Sequence, residues 1–198
     1  MAQILLTGFE PFANESINPS KELVRSAAFH GVESHLVLPV SFQRAFPKIK
    51  QSLDSKEFSD ILMLGQAGGR TQVCLERVAL NWVETAVADE DGQLEKGRVI
   101  EPGASPAWIS PYPIREWCDA GRLQNLPMEV SNTAGTFVCN DLSFKVAQWS
   151  LGKNVRWLFV HLPYLPEQVI QKPNGVPSMD LISMKKCIQF IIDKIHTL

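Results

Sequence analysis

The chain has 198 residues, of which 45% are hydrophobic and 20% charged, with a formal net charge of −2. That length suits a single domain over residues 1–198 with a sizeable core, and the near-neutral balance gives no basic footprint for nucleic acid. No apolar run is long enough to span a bilayer, and Met1-Ala2-Gln3-Ile4-Leu5-Leu6-Thr7 lacks the charged start and small-residue cleavage site of a secretory leader.

Residues 4–7 form a short apolar run closed by Gly8, the pattern of a buried strand. Asn18-Pro19 opens a helix, with Asn as N-cap and Pro at its first position. Leu23, Val24, Ala27 and Ala28 give that helix an apolar face. Residues 35–40 read as a strand, 45–53 as a helix and 60–65 as a buried strand running into Gly65-Gln66-Ala67-Gly68-Gly69. Residues 73–82 read as one strand. Residues 89–106, richer in charge, Gly and Pro, read as an exposed excursion with a hairpin. A helix over 114–123 and a short strand over 128–131 follow. Val138, Leu142 and Val146, four apart, predict a helix over 138–149. Residues 155–160 are another buried strand. Leu181, Met184, Ile188, Ile191, Ile192 and Ile195 give residues 178–195 one long amphipathic helix. No internal repeat or low-complexity segment interrupts the series.

Alternating β and α patterns argue for an α/β sandwich around a mostly parallel sheet. Ligands in such sheets sit at the carboxyl ends of the strands. Segments 8–18, 65–72, 132–136 and 161–168 are therefore the expected site loops.

Four cysteines are present, Cys74, Cys118, Cys139 and Cys187. No two have metal-ligand spacing, and no leader precedes them, so neither a zinc site nor a disulfide framework is expected. A reducing, cytoplasmic compartment is expected. Cys139 differs from the other three. It follows the small polar run Asn132-Thr133-Ala134-Gly135-Thr136 and falls in the first turn of a predicted helix. Free N–H groups and the positive dipole end there favour a thiolate. The plainer alternative is a small apolar filler. His161 directly follows the strand 155–160, on the expected ligand edge. It reads either as an acid/base or as a structural histidine bonded to a carbonyl. Glu76 shares a strand face with Cys74, Val78 and Leu80. A carboxylate there needs solvent or a cationic partner, which a histidinium or a lysine or arginine would supply. A nucleophile, a base and an orienting acid make a consistent triad, and chain order is no obstacle to one.

Four ordered blocks also carry a resemblance. They are Leu6-Thr7-Gly8-Phe9-Glu10-Pro11-Phe12 with Ile17-Asn18-Pro19-Ser20, Gly65-Gln66-Ala67-Gly68-Gly69-Arg70 with Glu76-Arg77-Val78-Ala79-Leu80-Asn81, Ser131-Asn132-Thr133-Ala134-Gly135-Thr136-Phe137-Val138-Cys139-Asn140, and Val160-His161-Leu162-Pro163-Tyr164-Leu165-Pro166-Glu167-Gln168. Together they make the chain resemble the pyroglutamyl-peptidase I, or pyrrolidone-carboxylate peptidase, family of cysteine peptidases. The resemblance implies a three-layer α/β/α fold and removal of an N-terminal pyroglutamyl residue from peptides. It implies Cys139 as nucleophile, His161 as acid/base and Glu76 as third member, with no cofactor and no metal. It further implies a homodimer or homotetramer, and a pyroglutamyl pocket lined by Phe9, Phe12 and Phe137. The chain departs from the family pattern at four places, one of them a short connection from Trp149 to Val155. Ala13-Asn14 stands where many relatives have Gly-Gly. Residues 87–99 lack the usual Pro-Asp-Asn-Glu-Gly pattern, and Trp108-Ile109-Ser110-Pro111-Tyr112 replaces a typical Tyr-Phe-Ser-Thr-Leu.

The residues alone leave rival readings open. One is another cysteine amidase with a different first-residue preference, and one is a non-catalytic α/β binding protein. Nucleotide binding through 65–69 has little support, because the loop has neither GxGxxG nor the Lys-Ser/Thr of a P-loop.

Overall fold

The computed structural model describes residues 2–25 and 29–198. Strand β1 (Ile4–Phe9) is buried along its whole length. Gly8 lets α1 (Pro19–Arg25) come close: a β-carbon there would lie 2.4 Å from the carbonyl oxygen of Ser20. Asn18 caps that helix by accepting the Ser20 N–H at 3.0 Å. Leu23 and Val24 are buried on its inner face, whereas Ala27 and Ala28 lie outside the described residues. Next come β2 (Val32–Leu38), α2 (Ala45–Ser55), β3 (Asp60–Gln66), β4 (Val73–Glu76), β5 (Val78–Leu80), β6 (Val83–Glu84), β7 (Lys96–Arg98) and β8 (Ala107–Ile109). The chain closes with α3 (Ile114–Leu123), β9 (Met128–Ser131), α4 (Val138–Ser150), β10 (Arg156–Leu162), α5 (Pro166–Val169) and α6 (Leu181–His196).

Six strands form one sheet in the order β2-β1-β3-β10-β4-β9. Each pairing is parallel except β10 with β4. Side chains alternate across the sheet and feed two cores. Ile4, Leu6, Leu62, Leu64, Leu158 and Val160 pack beneath α1, α3 and α6. Leu5, Ile61, Met63, Trp157 and Phe159 pack against α2 and α4, through Ile49, Val138, Leu142 and Val146. The result is the three-layer α/β/α arrangement with a mostly parallel sheet.

Three expectations need correction. The predicted strand 73–82 is three strands: only β4 joins the main sheet, β5 pairs with β8, and β6 pairs with β7. At Arg77 the chain leaves the sheet, its N–H donating to the Ser131 carbonyl and its own carbonyl accepting from Ser110 N–H. The excursion 89–106 contains only β7, which pairs with β6 before the segment, and it is not simply exposed. Asp89, Glu95 and Ile100 are buried, and the Asp89 carboxylate accepts backbone N–H groups from Phe42, Asp91 and Gln93. His161 is the penultimate residue of β10 rather than the residue after it.

Candidate active site

The site lies on the α2/α4 face of the sheet. His161 is paired with Gly65 of β3 on one side and Cys74 of β4 on the other. Since β4 runs antiparallel to β10, Glu76 falls opposite Phe159, diagonal to His161 on the same face. This diagonal lets the imidazole Nδ1 meet Glu76 Oε1 at 2.8 Å. Glu76 is 1% exposed and His161 4%, so both charges are held out of water. A second cation reaches the carboxylate, with Arg70 Nη2 at 3.7 Å from the same oxygen and also donating to Ser131 Oγ at 3.2 Å. The sequence alternatives of histidinium or arginine for Glu76 thus meet in one place. Its other oxygen, Oε2, is buried with no partner among the described residues.

Cys139 completes the line from the opposite layer. Helix α4 has Phe137 as its N-cap and no side-chain cap. Cys139 is therefore its second residue, and no hydrogen bond occupies its backbone N–H among the described residues. The helix start is fixed by Asn140, whose fully buried side chain accepts from Leu80 N–H and donates to the carbonyls of Leu80 and Trp82. The Cys139 sulfur lies 3.1 Å from where a β-carbon of Gly65 would stand, and Gly65 is the strand partner of His161. Burial is the largest influence on His161 and pulls its pKa down. The influence of Cys139 and of the Glu76 carboxylate outweighs burial and raises it to about 9. The ring is then an imidazolium at neutral pH, held by the carboxylate.

Room for this arrangement comes from Gly65. A β-carbon there would lie 2.7 Å from Phe159 Cζ and 3.1 Å from Cys139 Sγ. The sequence shows Gly65 only as the first glycine of a rich run, so its role beneath the thiol had no local signal. The other cysteines are fully buried. Burial pushes Cys118 up to about 11, Cys187 up to about 12 and Cys74 higher still. Among the described residues no His, Cys, Asp and Glu side chains gather in a group able to hold a metal ion.

Beside the sulfur is a small cavity of about 60 Å³ lined by Phe9, Phe12, Asn18, Val40, Gln66, Phe137 and Cys139. All three aromatic residues expected at the pocket therefore share it. Phe137 packs on Phe12 with ring centroids 5.1 Å apart and meets Phe42 edge-on at 5.5 Å. Sequence marks Asn18 only as a helix cap and does not point to Phe42, Val40 or Gln66 as pocket residues, although Asn18 and Gln66 lie in the expected site loops. A larger hollow of about 450 Å³, lined by Gln3, Lys56, Glu57, Ser59 and Trp149 among others, includes none of Cys139, His161 and Glu76.

Residues 2–197 match the family described as pyroglutamyl peptidase. The chain belongs to this family. It is 38% identical over 195 residues to pyrrolidone-carboxylate peptidase 1 of Caldanaerobacter subterraneus, covering 96% of each chain. It is 37% identical over 199 residues to the pyrrolidone-carboxylate peptidase of Streptococcus suis, covering 98% of this chain and 92% of that one. Among solved structures, the pyrrolidone carboxyl peptidase of Fervidobacterium islandicum superposes with a TM-score of 0.94 at 34% identity, over 100% of this chain and 99% of the other. Pyroglutamyl peptidase I of Bacillus amyloliquefaciens gives 0.89 at 33% identity, over 96% and 94%.

Two departures from the pyroglutamyl peptidase pattern have visible consequences. Ala13 and Asn14 adopt φ of 54° and 64°, the left-handed region in which a Gly-Gly pair is at ease. Tyr112 is buried and donates to Asp60, a carboxylate also held by Arg156 Nε at 2.8 Å and by Ser59 Oγ at 2.5 Å.

Proposed function

We propose that the chain hydrolyses the bond after an N-terminal pyroglutamyl residue of peptides, with Cys139 as nucleophile, His161 as acid/base and Glu76 as the group that orients and charges the imidazole. Membership of the pyroglutamyl peptidase family makes it a cysteine omega-peptidase. The observation that carries the residue roles is the buried Glu76–His161 pair with Cys139 beside it at an aromatic-walled cavity. The Cys139 thiolate attacks the carbonyl joining pyroglutamate to the next residue, and the C–S bond forms as that carbonyl oxygen takes the negative charge. The unoccupied N–H of Cys139 is placed to receive the oxyanion at the helix start. His161 gives its proton to the leaving amine as the C–N bond breaks, leaving a thioester. It then takes a proton from water, whose oxygen attacks the thioester and releases pyroglutamate and the thiolate. Glu76 holds the Nδ1–H tautomer throughout. Phe9, Phe12 and Phe137 form the walls for a flat neutral lactam. No helix among the described residues is long and apolar enough to cross a membrane. The reading extends to a cytoplasmic enzyme that assembles as a dimer or tetramer, which light scattering of the purified protein tests.

The deciding experiment is hydrolysis of a fluorogenic pyroglutamyl amide, with a prolyl amide and the Cys139→Ala variant alongside. Activity that prefers pyroglutamate and vanishes in the variant supports the reading. A folded, reduced wild type that cleaves neither amide refutes it, and equal cleavage of both points to a different first-residue specificity.

A further inference from the structure

Gln168 is buried on α5, and its amide has an unambiguous orientation. Its Oε1 accepts the backbone N–H of Leu165 at 2.9 Å, a group that can only donate. Its Nε2 faces the carbonyl of Ile17 at 3.2 Å and the carboxylate of Glu15 at 3.1 Å, groups with only lone pairs to offer. Nitrogen and oxygen of this amide therefore cannot be exchanged. The same Nε2 lies 2.8 Å from the side-chain amide of Gln66, so the Gln66 atom in that contact is its oxygen, Oε1. The donor sense passes down the chain from Leu165 to Gln168 to Gln66. Gln66 is left with its NH₂ uncommitted to any acceptor among the described residues, and Gln66 lines the cavity beside Cys139. Every other side chain of that lining apart from Asn18 and Cys139 is apolar. Asn18 is already engaged, its oxygen accepting twice from Ser20 and its nitrogen donating to the Glu10 carbonyl.

We infer that Gln168 is a positioning residue that sets the polarity of the pocket, turning the Gln66 amide so that its N–H donates to the ring carbonyl of the substrate. This deepens the proposed pyroglutamyl reading and rests on it. The ring carbonyl is the atom that distinguishes pyroglutamate from proline, so a fixed donor there is a specificity element. A freely rotating amide would present donor and acceptor alike and discriminate less. The same Gln168 nitrogen ties three site loops together, after β1 through Glu15 and Ile17, after β3 through Gln66, and after β10 through its own helix. Lys172 holds Glu15 from the far side.

The test compares steady-state kinetics of wild type, Gln66→Met and Gln168→Met on the pyroglutamyl and prolyl amides. Both substitutions keep side-chain length and remove the amide. The expected result for each is a KM for the pyroglutamyl amide raised by about tenfold or more, with a smaller change in kcat, the signature of lost ring binding. The preference for pyroglutamyl over prolyl amide should fall in parallel. A general structural defect would depress kcat and affect both amides alike. Thermal unfolding identifies a Gln168→Met protein that has not folded, and Gln66→Met then decides alone. A wild type with pyroglutamyl preference, and a folded Gln66→Met that keeps both KM and preference, overturns this inference and leaves the functional reading intact. A wild type that cleaves neither amide overturns both.

Discussion

Replacing Glu76 with glutamine keeps the shape of the side chain and removes the charge beside His161. In the wild type the imidazole pKa rises from 6.5 to about 9 although burial pulls it down. At about 1.4 kcal/mol per pH unit, that rise is a preference of about 3 kcal/mol for the charged ring in the folded state. Cys139 and Glu76 together supply it against the burial penalty. Glu76→Gln keeps the burial and loses one partner, so the imidazolium must titrate lower. The assay is kcat/KM on the pyroglutamyl amide from pH 5 to 10. The alkaline limb of the wild type is expected near 9, where the ring loses the proton it must give to the leaving amine. In the variant that limb should move down by about one unit or more, and activity at pH 7 should fall by about 10²-fold or more. The stability sign follows from the same rise. A group whose folded pKa is raised contributes fully below its unfolded value of 6.5 and loses that contribution as pH climbs through 9. Urea unfolding at pH 6.5 and 9.5 should therefore show a smaller loss in Glu76→Gln than in the wild type. An alkaline limb that stays near 9 without the carboxylate would refute the idea that Glu76 charges the ring.

Gly65→Ala should lower kcat by about tenfold or more and cost about 1–3 kcal/mol of stability, because the new methyl must displace the Phe159 ring and the Cys139 sulfur; amide hydrolysis and urea unfolding check the two parts. Ala13→Gly should stabilise the protein by about 1 kcal/mol, since it relieves a left-handed backbone at φ 54°, and a lowered melting temperature would contradict this. Tyr112→Phe should lose about 1–2 kcal/mol in denaturant unfolding, one hydrogen bond to a buried carboxylate that retains Arg156. Iodoacetamide at pH 7.5 should modify the native protein at Cys139 alone, because Cys74, Cys118 and Cys187 are buried and pushed up in pKa; peptide mapping reads the result.

Periodicity found the long elements well. The helix over 114–123 and the strand over 128–131 have the bounds of α3 and β9, and Val138, Leu142 and Val146 are all fully buried on α4. The segment 73–82 was misread for a physical reason. Side chains continue to alternate past Arg77, but alternation says nothing about which strand a residue pairs with, and the pairing partner changes there. The reversed direction of β4 is invisible for the same reason. Charge misled in 89–106, where Asp89 points inward to collect backbone N–H groups rather than outward to water. At the site, the chemical types of Cys139, His161 and Glu76 were legible because each breaks the rule of its surroundings. Arg70, Gly65 and Gln168 were not legible in these terms. What they do depends on a neighbour far along the chain, 102 residues away for Gln168 and Gln66.

The position of β10 has a consequence for how the molecule is made. It is the last strand of the main sheet in the chain, yet it lies in the interior of that sheet, between β3 and β4. While the polypeptide emerges from the ribosome, the facing edges of β3 and β4 have no partner until residue 162 is out. Such open edges are where nascent chains pair wrongly. Glu76 and His161, 85 residues apart in sequence, meet only when this last strand is inserted. The appearance of peptidase activity would then report on the closing step of folding, and a chain cut short before β10 would be inert, unfinished and prone to aggregate.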